Sequence, residues 1–199
     1  MGPDPDAALM LAFQQGDEGA FRTLYQRHAR AMFAFCHRFV RDAARAEELA
    51  QDVFVNLYRA RDRYRPTARF KTFMYRVASN HCLNELRRSE YVARRASARA
   101  EGGAEEPADP DTLPSGSAGP EEVVRGKALE AAVQAFLARL PEKQRAALVL
   151  CRFEGLSYEE IAQVLETTVP AVKSLIHRAT VAAAEALGPH DERPEEAPP

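Results

Sequence analysis

The sequence has only three cysteines, Cys36, Cys82 and Cys151, an odd number at unrelated spacings, which excludes a disulfide framework as the basis of the fold. It lacks any apolar run approaching the ~18 residues that a membrane span requires. Its opening residues, MGPDPDAAL, carry acids and prolines where a secretion leader carries basic charge followed by an apolar stretch. These absences lead us to expect a cytoplasmic protein with no membrane insertion. Runs of β-branched residues are scarce and no alternating strand pattern occurs, whereas alanine is abundant, so the expected fold is all-α. There is no phosphate-cradling glycine loop, no nucleophile–base set and no paired acidic motif, so we expect no catalytic residues, no cofactor and no enzymatic activity. Cys36-His37 and His81-Cys82 place metal-ligating types side by side, but neighbours on a helix point ~100° apart. Each pair then offers at most one ligand to a common centre; no metal is expected, and the cysteines read as core.

What is present is a strong charge asymmetry beneath a net charge of −2. Residues 1–100 carry +7, residues 101–125 carry −6, residues 126–188 are balanced, and residues 189–199 carry −3. A nucleic-acid surface needs local rather than net positive charge, so the first hundred residues are the candidate. Residues 100–122, AEGGAEEPADPDTLPSGSAGPEE, are too poor in large apolar side chains to offset their ordering entropy and read as a flexible tether. The expected organisation is a helical module over 1–96, an acidic linker over 97–124, a second helical module over 125–188 and a disordered tail over 189–199.

In the first module Asp17 is a helix N-cap candidate. Phe21, Leu24, Tyr25, His28, Met32, Phe35 and Phe39 follow at three- and four-residue steps, the spacing of one buried helical stripe. A second helix starts near Asp42, with Leu49, Val53, Leu57 and the neighbouring Phe54 and Tyr58 inward, and a third runs from about Arg69 to Ser89 on Phe70, Phe73, Met74, Val77, Leu83 and Leu86. Between them, Arg63-Tyr64-Arg65-Pro66-Thr67-Ala68-Arg69-Phe70-Lys71-Thr72-Phe73-Met74-Tyr75-Arg76 interleaves cations with rings, and Asn80 and Asn84 follow one turn apart. That combination suits single-stranded DNA, because cations track phosphates, rings stack bases and amides read base edges. Phe70, Phe73 and Val77 are expected in the core; Arg65, Thr67, Arg69, Lys71, Arg76, Asn80 and Asn84 are better placed for surface readout.

In the second module a helix covers about 122–139, Pro141 begins the next, and Gly155 ends it. Ser157-Tyr158-Glu159-Glu160 has the form of a capping box. It opens a short helix over 158–165; the turn Glu166-Thr167-Thr168 then leads to a longer helix from Val169. Short helix, tight turn and longer helix form a helix-turn-helix over 157–184. Val169, Val172, Ile176, Ala179 and Ala183 share the core side of the last helix, leaving Ala171, Lys173, Ser174, His177 and Arg178 on the side that enters a major groove in such motifs.

The blocks DAARAEELAQDVF and FKTFMYRVASNHCLNELRR, followed by LPEKQRAALVLCRFEGLSYEEIAQVL and VPAVKSLIHRA, closely resemble the extracytoplasmic-function sigma factors, the minimal sigma-70-type family, over about 150 residues. The resemblance implies that residues 1–96 are region two, binding the core polymerase clamp and the minus-ten element, and that residues 125–188 are region four, reading the minus-thirty-five element and touching the polymerase flap. It implies clamp-binding roles for Glu47, Glu48, Gln51, Asp52 and Phe54. Minus-ten roles fall on the basic-aromatic loop from Tyr64 to Phe70 and on Asn80, and minus-thirty-five roles on Lys173, Ser174, His177 and Arg178. It further implies core RNA polymerase, single- and double-stranded promoter DNA and an anti-sigma factor as partners, with membrane retention only through a membrane-bound anti-sigma factor. Departures from the family pattern are Phe73 in place of the usual Trp, Leu175 and Thr180 where Arg is common, and Glu166 at a turn position often given to Gly. A dimeric helix-turn-helix regulator would account for the second module while leaving the basic-aromatic segment of the first without a role.

Overall fold

The computed structural model describes residues 4–99 and 120–187, all helix and connecting turns with no strand among the described residues. Most of the expected linker and the whole of the expected tail lie outside the described residues. The elements are α1 (Pro5–Gln14), α2 (Glu18–Val40), α3 (Ala43–Arg59), a single 3-10 turn (Arg61–Arg63), α4 (Phe70–Arg99), α5 (Pro120–Arg139), α6 (Glu142–Arg152), α7 (Tyr158–Val164) and α8 (Val169–Leu187). Among the described residues no helix is long and apolar enough to cross a membrane.

Local chemistry sets the helix boundaries. Asp17 and Asp42 accept backbone N–H bonds at the starts of α2 and α3, satisfying donors that a helix N-terminus otherwise leaves unpaired. Ser157 and Glu160 close a reciprocal capping box at α7. Left-handed backbone at Gly16, Gly155, Arg41 and Glu166 reverses the chain between helices. Pro141 stands at the N-cap of α6 rather than within its first turn.

Two elements differ from the sequence expectation. Helix α1 precedes the stripe of α2: Asp4 caps it through Oδ1, and Pro5 sits at a first-turn position, where a missing N–H costs nothing. The Oδ2 atom of the same carboxylate accepts the Phe70 N–H at 2.7 Å, so one side chain caps two helices. Helix α4 also continues ten residues past Ser89, to Arg99. That extension is exposed as far as Ala96, so it carries no apolar stripe that a periodicity argument could detect.

The first domain packs Met10, Phe13, Leu24, Met32, Phe35, Cys36, Phe39, Leu49, Val53, Leu57, Phe70, Met74 and Cys82 into one core. Truncating a large member to alanine costs about 2–5 kcal/mol. His28, expected on the apolar stripe, instead bonds Asp6 of α1 at 2.8 Å through Nε2. The second domain closes over Leu137, Val149, Leu150, Ile161, Val164, Val172, Ile176 and Ala179, with Ala146, Ala147 and Ala162 permitting close helix approach.

The two domains pack against each other. Arg145 of α6 is 7% exposed and donates to the Phe39 carbonyl at 3.0 Å and to the Ala138 carbonyl at 2.8 Å, tying the end of α2 to the α5–α6 turn. Burial lowers its pKa.

Candidate polymerase and nucleic-acid interfaces

Three surfaces carry the residues that the sequence singles out. On α3, Glu47, Glu48, Gln51 and Asp52 are exposed along one side. Phe54 lies beneath them, 5% exposed, its ring edge-on to Tyr25 of α2 at 4.8 Å. Tyr25, Ala29, Phe33, Glu47, Ala50, Gln51 and Phe54 line an apolar groove of about 310 Å³ between α2 and α3. The acids are not equivalent. Glu48 binds Arg45 on its own helix, and the Arg45 guanidinium grips Glu85 of α4 through two bonds of 2.9 and 2.7 Å. That fork holds the Glu85 carboxyl below its ordinary pKa and fastens α3 to α4. Glu47 and Asp52 form no ion pair among the described residues, leaving an acidic edge beside an apolar slot.

The second surface lies across the turn before α4 and along α4 itself. Arg65, Thr67, Arg69, Lys71, Arg76, Asn80 and Asn84 are all exposed, and Arg76, Asn80 and Asn84, four residues apart, continue one face of the helix. Arg63, Tyr64, Arg65, Thr67, Phe73 and Arg76 line a cavity of about 210 Å³, so the turn and the first two turns of α4 form one concave site. The rings follow the sequence expectation at Phe70, which is core, and depart from it at Phe73, expected in the core but partly open, and at Tyr64, expected among the minus-ten readers but buried. Tyr64, Phe70 and Tyr75 are 2%, 1% and 1% exposed, and among the rings from Tyr64 to Tyr75 only Phe73 keeps a partly open face. Tyr64 is therefore a wall of the cavity rather than a surface reader. It packs on Phe73 at 5.2 Å and Phe70 at 6.3 Å. Its hydroxyl is buried without a partner, and burial, with Asp4 nearby, pushes its pKa up to about 12. The Arg76 guanidinium lies over the Phe73 ring at 5.7 Å.

Sequence reasoning missed what holds this turn in place. Gln14, at the end of α1, directs its amide Nε2 at the carbonyls of Arg61, Asp62 and Tyr64 at 2.8, 3.2 and 3.4 Å. An amide donor at the end of a capped helix is a signal only once α1 itself is recognised.

The third surface is on α8. Val172, Ile176 and Ala179 are buried, while Lys173, Ser174, His177 and Arg178 are exposed and Ala171 is half-buried. The turn feeding α8 holds Glu166 at φ +50°, left-handed backbone that a β-carbon disfavours. Cys36 and Cys82 are fully buried and Cys151 partly so; all three are free thiols.

Between the domains, residues that would read as solvated make specific contacts. Glu154, in the α6–α7 turn, accepts from the Tyr75 hydroxyl through its carboxylate and from Lys71 Nζ through its backbone carbonyl at 2.5 Å. The Arg38 guanidinium stacks over the Phe153 ring at 4.2 Å and lies 3.9 Å from the Glu154 carboxylate. Glu160 of α7 reaches Thr72 at 3.5 Å and Arg69 at 4.0 Å, and Gln163 forms part of the wall of the Tyr64 cavity.

Both domains are similar to known proteins. The family descriptions "Sigma-70 region 2" and "Sigma-70, region 4" match residues 24–91 and 130–181. An RNA polymerase sigma-H factor of Pseudomonas aeruginosa is 36% identical over 189 residues, covering 94% of this chain and 95% of its own length. An extracytoplasmic-function RNA polymerase sigma-E factor of Escherichia coli is 31% identical over 179 residues, covering 87% and 90%. Among solved structures, CnrH in complex with the cytosolic domain of CnrY superposes with TM-score 0.66 at 25% identity, covering 92% of this chain and 97% of that one. The sigma factor RpoE of Bartonella quintana, in complex with the anti-sigma factor NepR, has the same fold, with TM-score 0.62 at 21% identity, covering 84% and 96%. This chain belongs to the extracytoplasmic-function RNA polymerase sigma factors of the sigma-70 family.

Proposed function

We propose a division of labour within this sigma factor. The acidic edge of α3, Glu47, Glu48, Gln51 and Asp52, with the Phe54 groove beside it, seats on the core polymerase clamp. The concave site walled by Tyr64, with Arg65, Thr67, Arg69, Lys71, Arg76, Asn80 and Asn84 around and beyond it, takes the unpaired minus-ten strand. Lys173, Ser174, His177 and Arg178 of α8, with Ala171 allowing close approach, read the minus-thirty-five duplex, and the second domain also touches the polymerase flap. The chain contributes binding and positioning but no bond-making step; it works in the cytoplasm, under an anti-sigma factor that would hold it at the membrane only if itself membrane-bound. The observation that carries this reading is the separation of charge within one domain: acids beside an apolar groove on α2–α3, cations and amides around a cavity on α4. DNA cannot use the first surface and a polyanion suits the second.

The test separates the surfaces. Lys173→Ala or Arg178→Ala is expected to weaken minus-thirty-five binding while polymerase association stays intact; loss of that association would contradict the assignment. Glu48→Arg combined with Asp52→Arg is expected to abolish co-elution with core polymerase and to leave duplex DNA binding unchanged.

A further inference from the structure

The helix that carries the strand-reading face, α4, starts against the usual rules of capping. The residues leading into it, Thr67-Ala68-Arg69, put arginine immediately before the first helical residue, Phe70, and a guanidinium has no acceptor for a free N–H. No acid occurs in the first turn, while Arg69 and Lys71 crowd the end where the helix dipole is already positive. The task assigned to this turn explains the omission. An aspartate at position 69 or a glutamate at 71 would cap the helix, but it would also set negative charge against the phosphates of a strand.

The missing acceptor comes from 66 residues away. Asp4 Oδ2 accepts the Phe70 N–H at 2.7 Å, while Oδ1 takes the N–H groups of Asp6 and Ala7 at 3.0 and 3.2 Å. The Asp4 residue is half-buried, whereas Arg65, Arg69 and Lys71 are exposed. Helix α1, which carries it, is a fixed reference. Met10 and Phe13 are fully buried, and Asp6 ties the start of α1 to Arg27 and His28 of α2, each at 2.8 Å. All of α1 lies ahead of residues 24–91, which match the region-two description.

We infer that Asp4 is a positioning residue for strand reading: its carboxylate fixes the first turn of α4, and with it Thr67, Arg69 and Lys71, without itself touching DNA. The inference rests on the minus-ten reading of α4. Charge and capping predict opposite signs for its removal. A carboxylate acting only through its charge repels the strand, so neutralising it tightens binding. A carboxylate acting as a cap holds the turn closed, and because only the closed fraction is competent, its loss weakens binding. Asparagine separates the two. It caps a helix as well as aspartate does, but it has one acceptor oxygen, and its other terminal atom is a donor. Serving the two N–H groups of α1 then turns that donor towards the Phe70 N–H, so α1 keeps its cap and α4 loses one.

The experiment uses the full chain assembled with core polymerase. Binding to a pool of fluorescein-labelled single-stranded DNA 12-mers of randomised sequence is followed by anisotropy, with core enzyme alone as the background. Asp4→Asn is expected to weaken pool binding about five- to tenfold and to leave affinity for core polymerase unchanged. Asp42→Ala is the matched control, because it removes the carboxylate that caps α3; it is expected to lower stability while leaving pool binding as in wild type. Hydrogen exchange of the wild-type holoenzyme needs no variant: the Phe70 amide is expected to be protected, and Asp4→Asn to speed its exchange. Unchanged or tighter pool binding by Asp4→Asn overturns the inference. An equal loss in Asp42→Ala does so too, since the effect would then be one of stability alone, as does a Phe70 amide that exchanges freely in wild type. Wild-type holoenzyme that binds the pool no better than core enzyme alone would instead remove the underlying minus-ten reading, so the two failures are told apart.

Discussion

Gln14 is the side chain whose effect on DNA reading can be worked out most directly. It belongs to no DNA-facing surface, yet its amide reaches the carbonyls of Arg61, Asp62 and Tyr64 from α1, the last two of which also accept from Arg65 Nη1 at 3.4 and 2.9 Å. An amide has two N–H donors, so at most two of the three contacts are full bonds and the longest is shared. At about 0.5–1.5 kcal/mol net per bond, and with the freed carbonyls partly able to reach water, Gln14→Ala releases the turn at a cost of about 1–2 kcal/mol. If that order is what Arg65 and Thr67 use on binding, the affinity of the holoenzyme for a single-stranded minus-ten oligonucleotide falls roughly 5–30-fold. Gln14→Glu preserves the shape but turns acceptors towards acceptors, so it is expected to be worse than alanine. Affinity for core polymerase is expected to be unaffected in both, because none of the residues lining the α2–α3 groove belongs to this turn. Anisotropy titrations of assembled holoenzyme measure the series. Wild-type DNA affinity in both variants, or a parallel loss of polymerase binding, would refute the positioning role.

Other consequences are more local. The Glu85 carboxyl is held below its ordinary pKa by Arg45, so its contribution is fully present above the unfolded value near 4.5 and disappears as pH falls through the depressed native value. Denaturant melts of Glu85→Gln should therefore be less stable than wild type at neutral pH and lose less stability on acidification below about pH 4.5; identical pH slopes would show that the Arg45 fork contributes nothing. Glu166 holds left-handed backbone at φ +50°. Relieving the ~1–2 kcal/mol penalty with glycine, less glycine's extra unfolded-state entropy of about 0.5–1 kcal/mol, should raise thermal stability by about 0.5 kcal/mol, and a calorimetric scan checks the sign. Promoter binding should weaken steeply with salt, and Lys71→Ala should lower the slope of log K against log salt by ~0.7, the value for one phosphate on a single strand; an unchanged slope would place Lys71 off the strand.

Much of this was legible in the residues. Asp17, Asp42 and the Ser157–Glu160 pair announce their helices through capping chemistry, and Leu24, Met32, Phe35 and Phe39, though not the exposed Tyr25 of the same expected stripe, and the set Val172, Ile176 and Ala179 declare their faces through spacing. Helix α1 was legible too, since Asp4-Pro5-Asp6 is a helix start. The burial of Tyr64 and Tyr75 was hidden for another reason. Basic-aromatic interleaving has one composition whether the rings face a strand or a core, and only the packing of α1, α2 and the second domain decides which. The docking of the domains was least legible. It depends on scattered polar residues, Arg38, Arg145, Glu154 and Glu160, each of which reads singly as a solvated charge, and periodicity reports burial within a helix rather than between domains.

The central claim, that this chain directs core polymerase to promoters through its two DNA surfaces, is tested most directly by run-off transcription. Purified chain and core enzyme are incubated with a library of promoter-length templates, and the transcripts are sequenced. The account requires discrete start sites downstream of two shared sequence blocks, at a spacing common to all active templates. Transcription no different from that of core enzyme alone, on every template in the library, would contradict it.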